Sequence, residues 1–132
     1  MPQTIGYFTL LVRDYDAAIA WFTGVLGFEL REDTDLGNGK RWVRVTPPGS
    51  GANATGLLLA RAVGDAQIAR IGDQTGGRVG YFLHSDDFDR DFAAMTARGV
   101  RFLEAPRREA YGSVAVFEDL CGNRWDLLEH KA

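Results

Sequence analysis

Cysteine is nearly missing: Cys121 is the single one in 132 residues. No disulfide can form within the chain. The thiol sits in the turn Glu118-Asp119-Leu120-Cys121-Gly122-Asn123 with no adjoining histidine to lower its pKa, so it reads as a packing or solvent-facing group and not a nucleophile. Long apolar runs are missing too. The longest are of the size of Leu57-Leu58-Leu59-Ala60, far short of a bilayer span, and Arg13, Asp14 and Asp16 break the first twenty residues before a signal-peptide core could form. A cytoplasmic protein is expected. Basic excess is absent: 15 lysines and arginines against 18 acidic residues give a net charge of −3, mixed along the chain. That balance offers no footprint for nucleic acid or an anionic membrane. No serine, histidine and acid are spaced as in a hydrolase, and the glycines are scattered at turns instead of forming a phosphate-binding loop.

What is present is an ordinary globular composition, 45% apolar and 25% charged. A chain this long buries about two thirds of its unfolded surface, enough for a sizeable core. It is organised around one unit used twice. In the first copy the apolar run Tyr7 to Val12 is a strand. Asp14 can cap a helix, Tyr15, Ile19, Phe22 and Leu26 form one helical face, and Gly27 can end it before an alternating strand from Phe28. The second copy places Asp87, Phe88, Phe92 and Met95 each 73 positions after Asp14, Tyr15, Ile19 and Phe22 (87 − 14 = 73), and Gly99 72 after Gly27, so the second helix is one residue shorter. Shared strand, cap, apolar spacing, terminal glycine and following strand favour duplication over chance.

Taken in order, the first half, about 1–62, reads β-α-β-β-β. Phe28 to Asp33 is a strand, Asn38-Gly39 favours a hairpin turn, and Lys40 to Thr46 and Gly56 to Arg61 are strands separated by Pro47-Pro48-Gly49-Ser50-Gly51. Residues 63–77 connect the halves, with a short helical turn at Ala66 to Ile71. The second half, about 78–132, repeats the order: strand Arg78 to Ser85, helix Phe88 to Arg98, strand Val100 to Glu104 leading into Pro106, and strands Ser113 to Glu118 and Asn123 to Glu129. Asp86-Asp87 is explained by strand ending and helix capping. The class is α+β, two tandem βαβββ modules forming curved sheets around a concave pocket with helices on the outer face.

Three stretches carry a resemblance: Leu11-Val12-Arg13-Asp14-Tyr15-Asp16-Ala17-Ala18-Ile19-Ala20-Trp21-Phe22, then Leu26-Gly27-Phe28-Glu29-Leu30, and the closing Phe117-Glu118-Asp119-Leu120-Cys121-Gly122-Asn123-Arg124-Trp125-Asp126-Leu127. With the duplicated plan, the chain resembles the vicinal oxygen chelate superfamily of glyoxalase I, extradiol dioxygenases, fosfomycin-modifying enzymes and bleomycin-binding resistance proteins. The resemblance implies the fold far more than a reaction. In metal-using members it implies four ligands from equivalent strands, whose places here are Tyr7, Leu58, Gly80 and Asp126. Only Asp126 is an ordinary ligand, so no metal cofactor is expected, and the resemblance also implies homodimers. The alternative is a divalent metal in a non-standard site using Asp126 and His84, serving a lyase, isomerase or dioxygenase-like enzyme. His84 is better read as a pocket or edge residue, and His130 lies close to the C-terminus, where fraying is the default.

Strand alternation puts Tyr7, Thr9 and Leu11 on the concave side and Phe8, Leu10 and Val12 beneath the helix. Leu58, Ala60, Phe82, His84, Asp126 and Leu128 join the concave side. On the third strand either Trp42 and Arg44 or Val43 and Val45 face inward; the two small valines complete a core more naturally, which assigns Trp42 and Arg44 to the pocket. The candidate ligand-binding set is therefore Tyr7, Thr9, Trp42, Arg44, Leu58, Phe82, His84 and Asp126. Aromatic faces with a few polar groups suit a small apolar or aromatic molecule, its anionic end held by Arg44 or His84 and a cationic or donor group by Asp126. No catalytic residue stands out.

Overall fold

The computed structural model describes residues 2–131, which divide between Ile71 and Gly72 into two compact units. That boundary falls inside the 63–77 connection.

In the first unit β1 (Tyr7–Val12) leads to α1 (Tyr15–Ala20). Asp14, in extended conformation, accepts a hydrogen bond from the Ala17 backbone N–H at 2.7 Å, satisfying one of the helix's free donors. The helix then widens into a π turn over Trp21–Val25, where the Leu26 N–H reaches back five residues to the Trp21 carbonyl while the Thr23 hydroxyl donates to the Ile19 carbonyl. A wider turn holds one residue more. This is the physical source of the one-residue length difference between the two copies. It also re-phases the buried face, which runs through Tyr15, Ala18, Phe22 and Leu26, with Ile19 only half-buried. Gly27 follows at φ 81°, the left-handed conformation the helix end needs.

Next come β2 (Glu29–Gly37), β3 (Lys40–Thr46), β4 (Gly56–Arg61) and the short α2 (Asp65–Ile68). β2 runs on to the turn, past the expected end at Asp33. Asn38 and Gly39 both have positive φ, 57° and 77°, the requirement of the tight hairpin that matches strand twist. The sheet order is β1-β4-β3-β2, with β1 parallel to β4 and the other pairs antiparallel. α1 packs on β4, over a core of Leu10, Val12, Val43, Val45 and Leu59, each at most 1% exposed. At Gly56, where a Cβ would stand 2.3 Å from the Val45 carbonyl oxygen, the absence of a side chain lets β3 and β4 close.

The second unit holds β5 (Val79–His84), α3 (Phe88–Ala97), β6 (Arg101–Phe102), β7 (Arg107–Glu109), β8 (Gly112–Glu118) and β9 (Arg124–His130). Asp87 caps α3 through the Arg90 N–H. Its sheet order, β5-β9-β8-β6, with β5 parallel to β9, repeats the first unit's plan. One element differs from the βαβββ expectation. The edge strand opposite β8 is split, because Pro106 cannot donate to a ladder. β6 pairs with the C-terminal end of β8, and β7, not foreseen in the sequence, pairs with its start. Tyr81 stacks on Trp125 (4.9 Å between ring centres) and Trp125 on Phe117 (5.7 Å), and Phe102 continues the ring series to Phe92 and Phe88 of α3.

Phe8 departs from its expected place. It lies on the helix side of β1, yet it is 53% exposed, because it stands near the start of an edge strand, ahead of the stretch from Leu10 that α1 covers. The architecture is α+β with two curved sheets.

Candidate functional site

Alternation along β3 separates two faces sharply. Val43 and Val45 are fully buried, whereas Trp42 and Arg44 are half-buried on the opposite, open face. Register then assembles neighbours on that face. Thr9 of β1 is level with Leu58 of β4, Leu58 with Arg44 of β3, and Arg44 with Glu32 of β2, a polar and aliphatic row across the whole sheet. Tyr7 meets Trp42 edge-on at 6.2 Å between ring centres, and the Arg44 guanidinium lies 5.3 Å over the Tyr7 ring with Glu32 3.8 Å away. Five of the expected residues therefore share one face: Tyr7, Thr9, Trp42, Arg44 and Leu58.

A cavity of about 590 Å³ opens on this face. Thr9, Trp42 and Leu58 line it, joined by Leu11, Leu36 and Ala60; Tyr7 and Arg44 lie outside its lining. The cavity extends towards the β2–β3 hairpin and the end of β4, where Tyr15 forms part of the wall. Tyr15 was legible only as a core residue of the first helix. Its hydroxyl accepts from the Arg41 backbone N–H at 3.2 Å, and the guanidinium groups of Arg41 and Arg61 lie 5.2 and 5.8 Å from its ring centre. Arg41 is neutralised by Asp33 (2.7 Å) and Asp16 (2.8 Å). The hydrogen bond from Arg41 holds the Asp33 carboxyl below the usual carboxylate range. The cationic residues at this end, Lys40 and Arg61, escaped sequence reasoning, since only the register of hairpin against β4 brings them together.

Phe82, His84 and Asp126 stand in the second unit. Phe82 and Asp126 are register partners on β5 and β9, and His84 is level with Leu128. Phe82 is 58% exposed, and the His84 ring meets His130 edge-on at 4.9 Å. Asp126 has an oxygen, Oδ1, that is buried without a hydrogen-bond partner among the described residues. Burial raises its pKa, Arg107 opposes the shift and Glu104 adds to it. Nearby in sequence, Asp119 is buried and accepts from the backbone N–H groups of Cys121 and Asn123, from the Asn123 side-chain amide and from the Trp125 indole N–H. Burial raises the pKa of Asp119 against the pull of those donors, and burial with the Asp119 charge pushes the Tyr81 phenol up to about 12.

The four places at which metal-using members carry ligands can be tested against a divalent cation. Tyr7 presents a phenol engaged with Trp42 and Arg44, Leu58 presents only carbon, and Gly80 presents nothing. A Cβ at Gly80 would stand 2.5 Å from the Thr75 Cγ2, so Thr75 fills the space that a ligand side chain would need. Asp126 is the sole carboxylate of the set. Taken one by one, Leu58 and Gly80 offer a divalent ion no side-chain donor. Among the described residues, no group of three or more histidine, cysteine, aspartate or glutamate side chains is placed to hold one.

Comparison with known proteins agrees with this scaffold. The chain is 51% identical over 130 residues to an uncharacterized protein of Shewanella frigidimarina, covering 98% of this chain and 95% of that one. Among solved structures, a glyoxalase/bleomycin resistance protein from Streptomyces sp. CB03234 is 30% identical and superposes with a TM-score of 0.71, over 95% of this chain and 99% of that one. TnmS3, an antibiotic binding protein from the same Streptomyces strain, is 28% identical with a TM-score of 0.76, over 98% of each chain. Residues 4–127 match the Glyoxalase/Bleomycin resistance protein/Dioxygenase superfamily, and with the duplicated strand order and the helix caps already described the chain belongs to that superfamily.

Proposed function

We propose that this protein binds a small apolar or aromatic molecule on the open face of its first sheet, without a resident metal, and that it does so in the cytoplasm as a homodimer. One observation carries the reading: a cavity of about 590 Å³, within the size range of small-molecule sites, is walled by Trp42, Leu11, Leu36, Leu58 and Ala60. Such a wall favours ring stacking and apolar burial. The antibiotic binding described for TnmS3, at 28% identity over nearly the full chain, supports a sequestering role of the same general kind.

A second reading is a metal-dependent lyase, isomerase or dioxygenase-like enzyme using Asp126 and His84. It draws on the buried, unpartnered Asp126 Oδ1, since displaced carboxyl pKa values gather at catalytic sites. Elemental analysis of protein purified without chelator separates the two. The binding reading expects no stoichiometric divalent metal. One metal per chain, lost in Asp126→Ala, would overturn the metal-free binding reading.

A further inference from the structure

We propose that the ligand of the first-unit cavity is an aromatic anion, a planar ring system bearing a carboxylate, sulfonate or phosphate, whose charge is taken by Lys40 and Arg61. This deepens the binding reading above and rests on it. The cavity wall contains three cationic residues, Lys40, Arg41 and Arg61, and no aspartate or glutamate. Nearby carboxylates are already engaged. Asp16 and Asp33 are paired with Arg41, and the Asp35 Oδ1 accepts from the Gly37 backbone N–H at 2.8 Å. None of the ion pairs among the described residues includes Lys40 or Arg61. Two positive charges therefore stand at one end of the cavity with no ion-pair partner among the described residues.

The placement of Arg61 is built into the hairpin. Its guanidinium lies over the Tyr15 ring, and its Nη2 is 3.1 Å from where a Cβ on Gly39 would stand. A larger residue at position 39 would crowd the guanidinium as well as strain a backbone at φ 77°. Gln67 adds a neutral donor: its Oε1 accepts from the Val63 N–H at 2.9 Å, which leaves the amide nitrogen to donate at the cavity wall. An anion whose ring lies against Trp42 and Leu58 would present its charge to this end. Guanidinium and ammonium donors to an anion form the stronger class of hydrogen bond, and because Lys40 and Arg61 are both exposed their attraction is screened by solvent and salt.

The test uses two fluorescent probes with the same rings, 1-anilinonaphthalene-8-sulfonate and the uncharged N-phenyl-1-naphthylamine, titrated into the full chain. The sulfonate is expected to bind about tenfold more tightly than the neutral probe, a preference that weakens with added salt. Arg61→Gln and Lys40→Gln should each reduce the ratio of sulfonate to neutral-probe affinity and together abolish the preference. Lys40 is exposed, so Lys40→Gln carries the test even where loss of the Arg61–Tyr15 contact disturbs folding. Equal affinities in the wild type, or a sulfonate preference that survives both substitutions, would overturn the charge assignment and leave the aromatic site standing. Failure of both probes to bind would overturn the binding reading itself.

Discussion

Asp126 and Asp119 are both pushed upward in pKa by burial, yet they differ in what faces them. Asp119 is surrounded by N–H donors, whereas the buried oxygen of Asp126 has no partner among the described residues. A carboxyl whose folded pKa exceeds its unfolded value favours folding when protonated. Its contribution is complete below the ordinary carboxylate range and is lost as pH rises through the raised value. Asp126→Asn keeps the shape and removes the charge. The variant should therefore gain stability relative to wild type as pH rises from the ordinary carboxylate range towards neutrality, read from urea midpoints at successive pH values. A wild-type-to-variant difference that stays flat across that window would show that Asp126 is adequately solvated. Sequence pattern placed Asp126 on its strand face, but it could not supply the missing partner, because burial of one oxygen is set by the folded strands, as is the electrostatic reach of Glu104 and Arg107.

At the scale of elements, caps and turns were the legible part. Asp14 and Asp87 start helices where capping chemistry puts them, and Asn38-Gly39 turns the hairpin. Trp42 and Arg44 fall on the open side because two valines fill the core behind them. Three features were illegible for identifiable reasons. The π turn at Trp21–Val25 leaves the apolar spacing nearly helical, β7 depends on pairing with β8 after the break at Pro106, and Lys40 and Arg61 are neighbours only through the sheet. The turn between β8 and β9 was read as a turn, but its Asp119 hub was not. Asp119→Ala would remove the acceptor shared by two backbone N–H groups, the buried Asn123 amide and the Trp125 indole N–H. We expect a loss of about 3 kcal/mol in urea unfolding, at the high end for a single substitution because several buried donors lose their acceptor together. A loss below about 1 kcal/mol would mean that water satisfies those groups and that the turn does not depend on Asp119.

The molecule as a whole repeats one sheet plan, but the two copies carry different chemistry. The first pairs a ring-bearing cavity with Lys40 and Arg61, which have no ion-pair partner among the described residues; the second exposes Phe82 and half-buries Asp126 on β5 and β9. A repeated plan allows such divergence, since the helix-side positions of both copies must stay apolar to fold while the open faces are under no such requirement. The departures from the metal-ligand pattern, Leu58 and Gly80, take side-chain donors away from those places, which is the basis of the ring-binding reading proposed above. The most direct test of that claim is calorimetric titration of 1-anilinonaphthalene-8-sulfonate into wild type and Trp42→Ala, with circular dichroism to verify folding. Loss of ring contact and apolar area should weaken binding at least about tenfold, or roughly 1.4 kcal/mol. Unchanged affinity in a folded Trp42→Ala protein would contradict the assignment of the ligand to the open face of the first sheet.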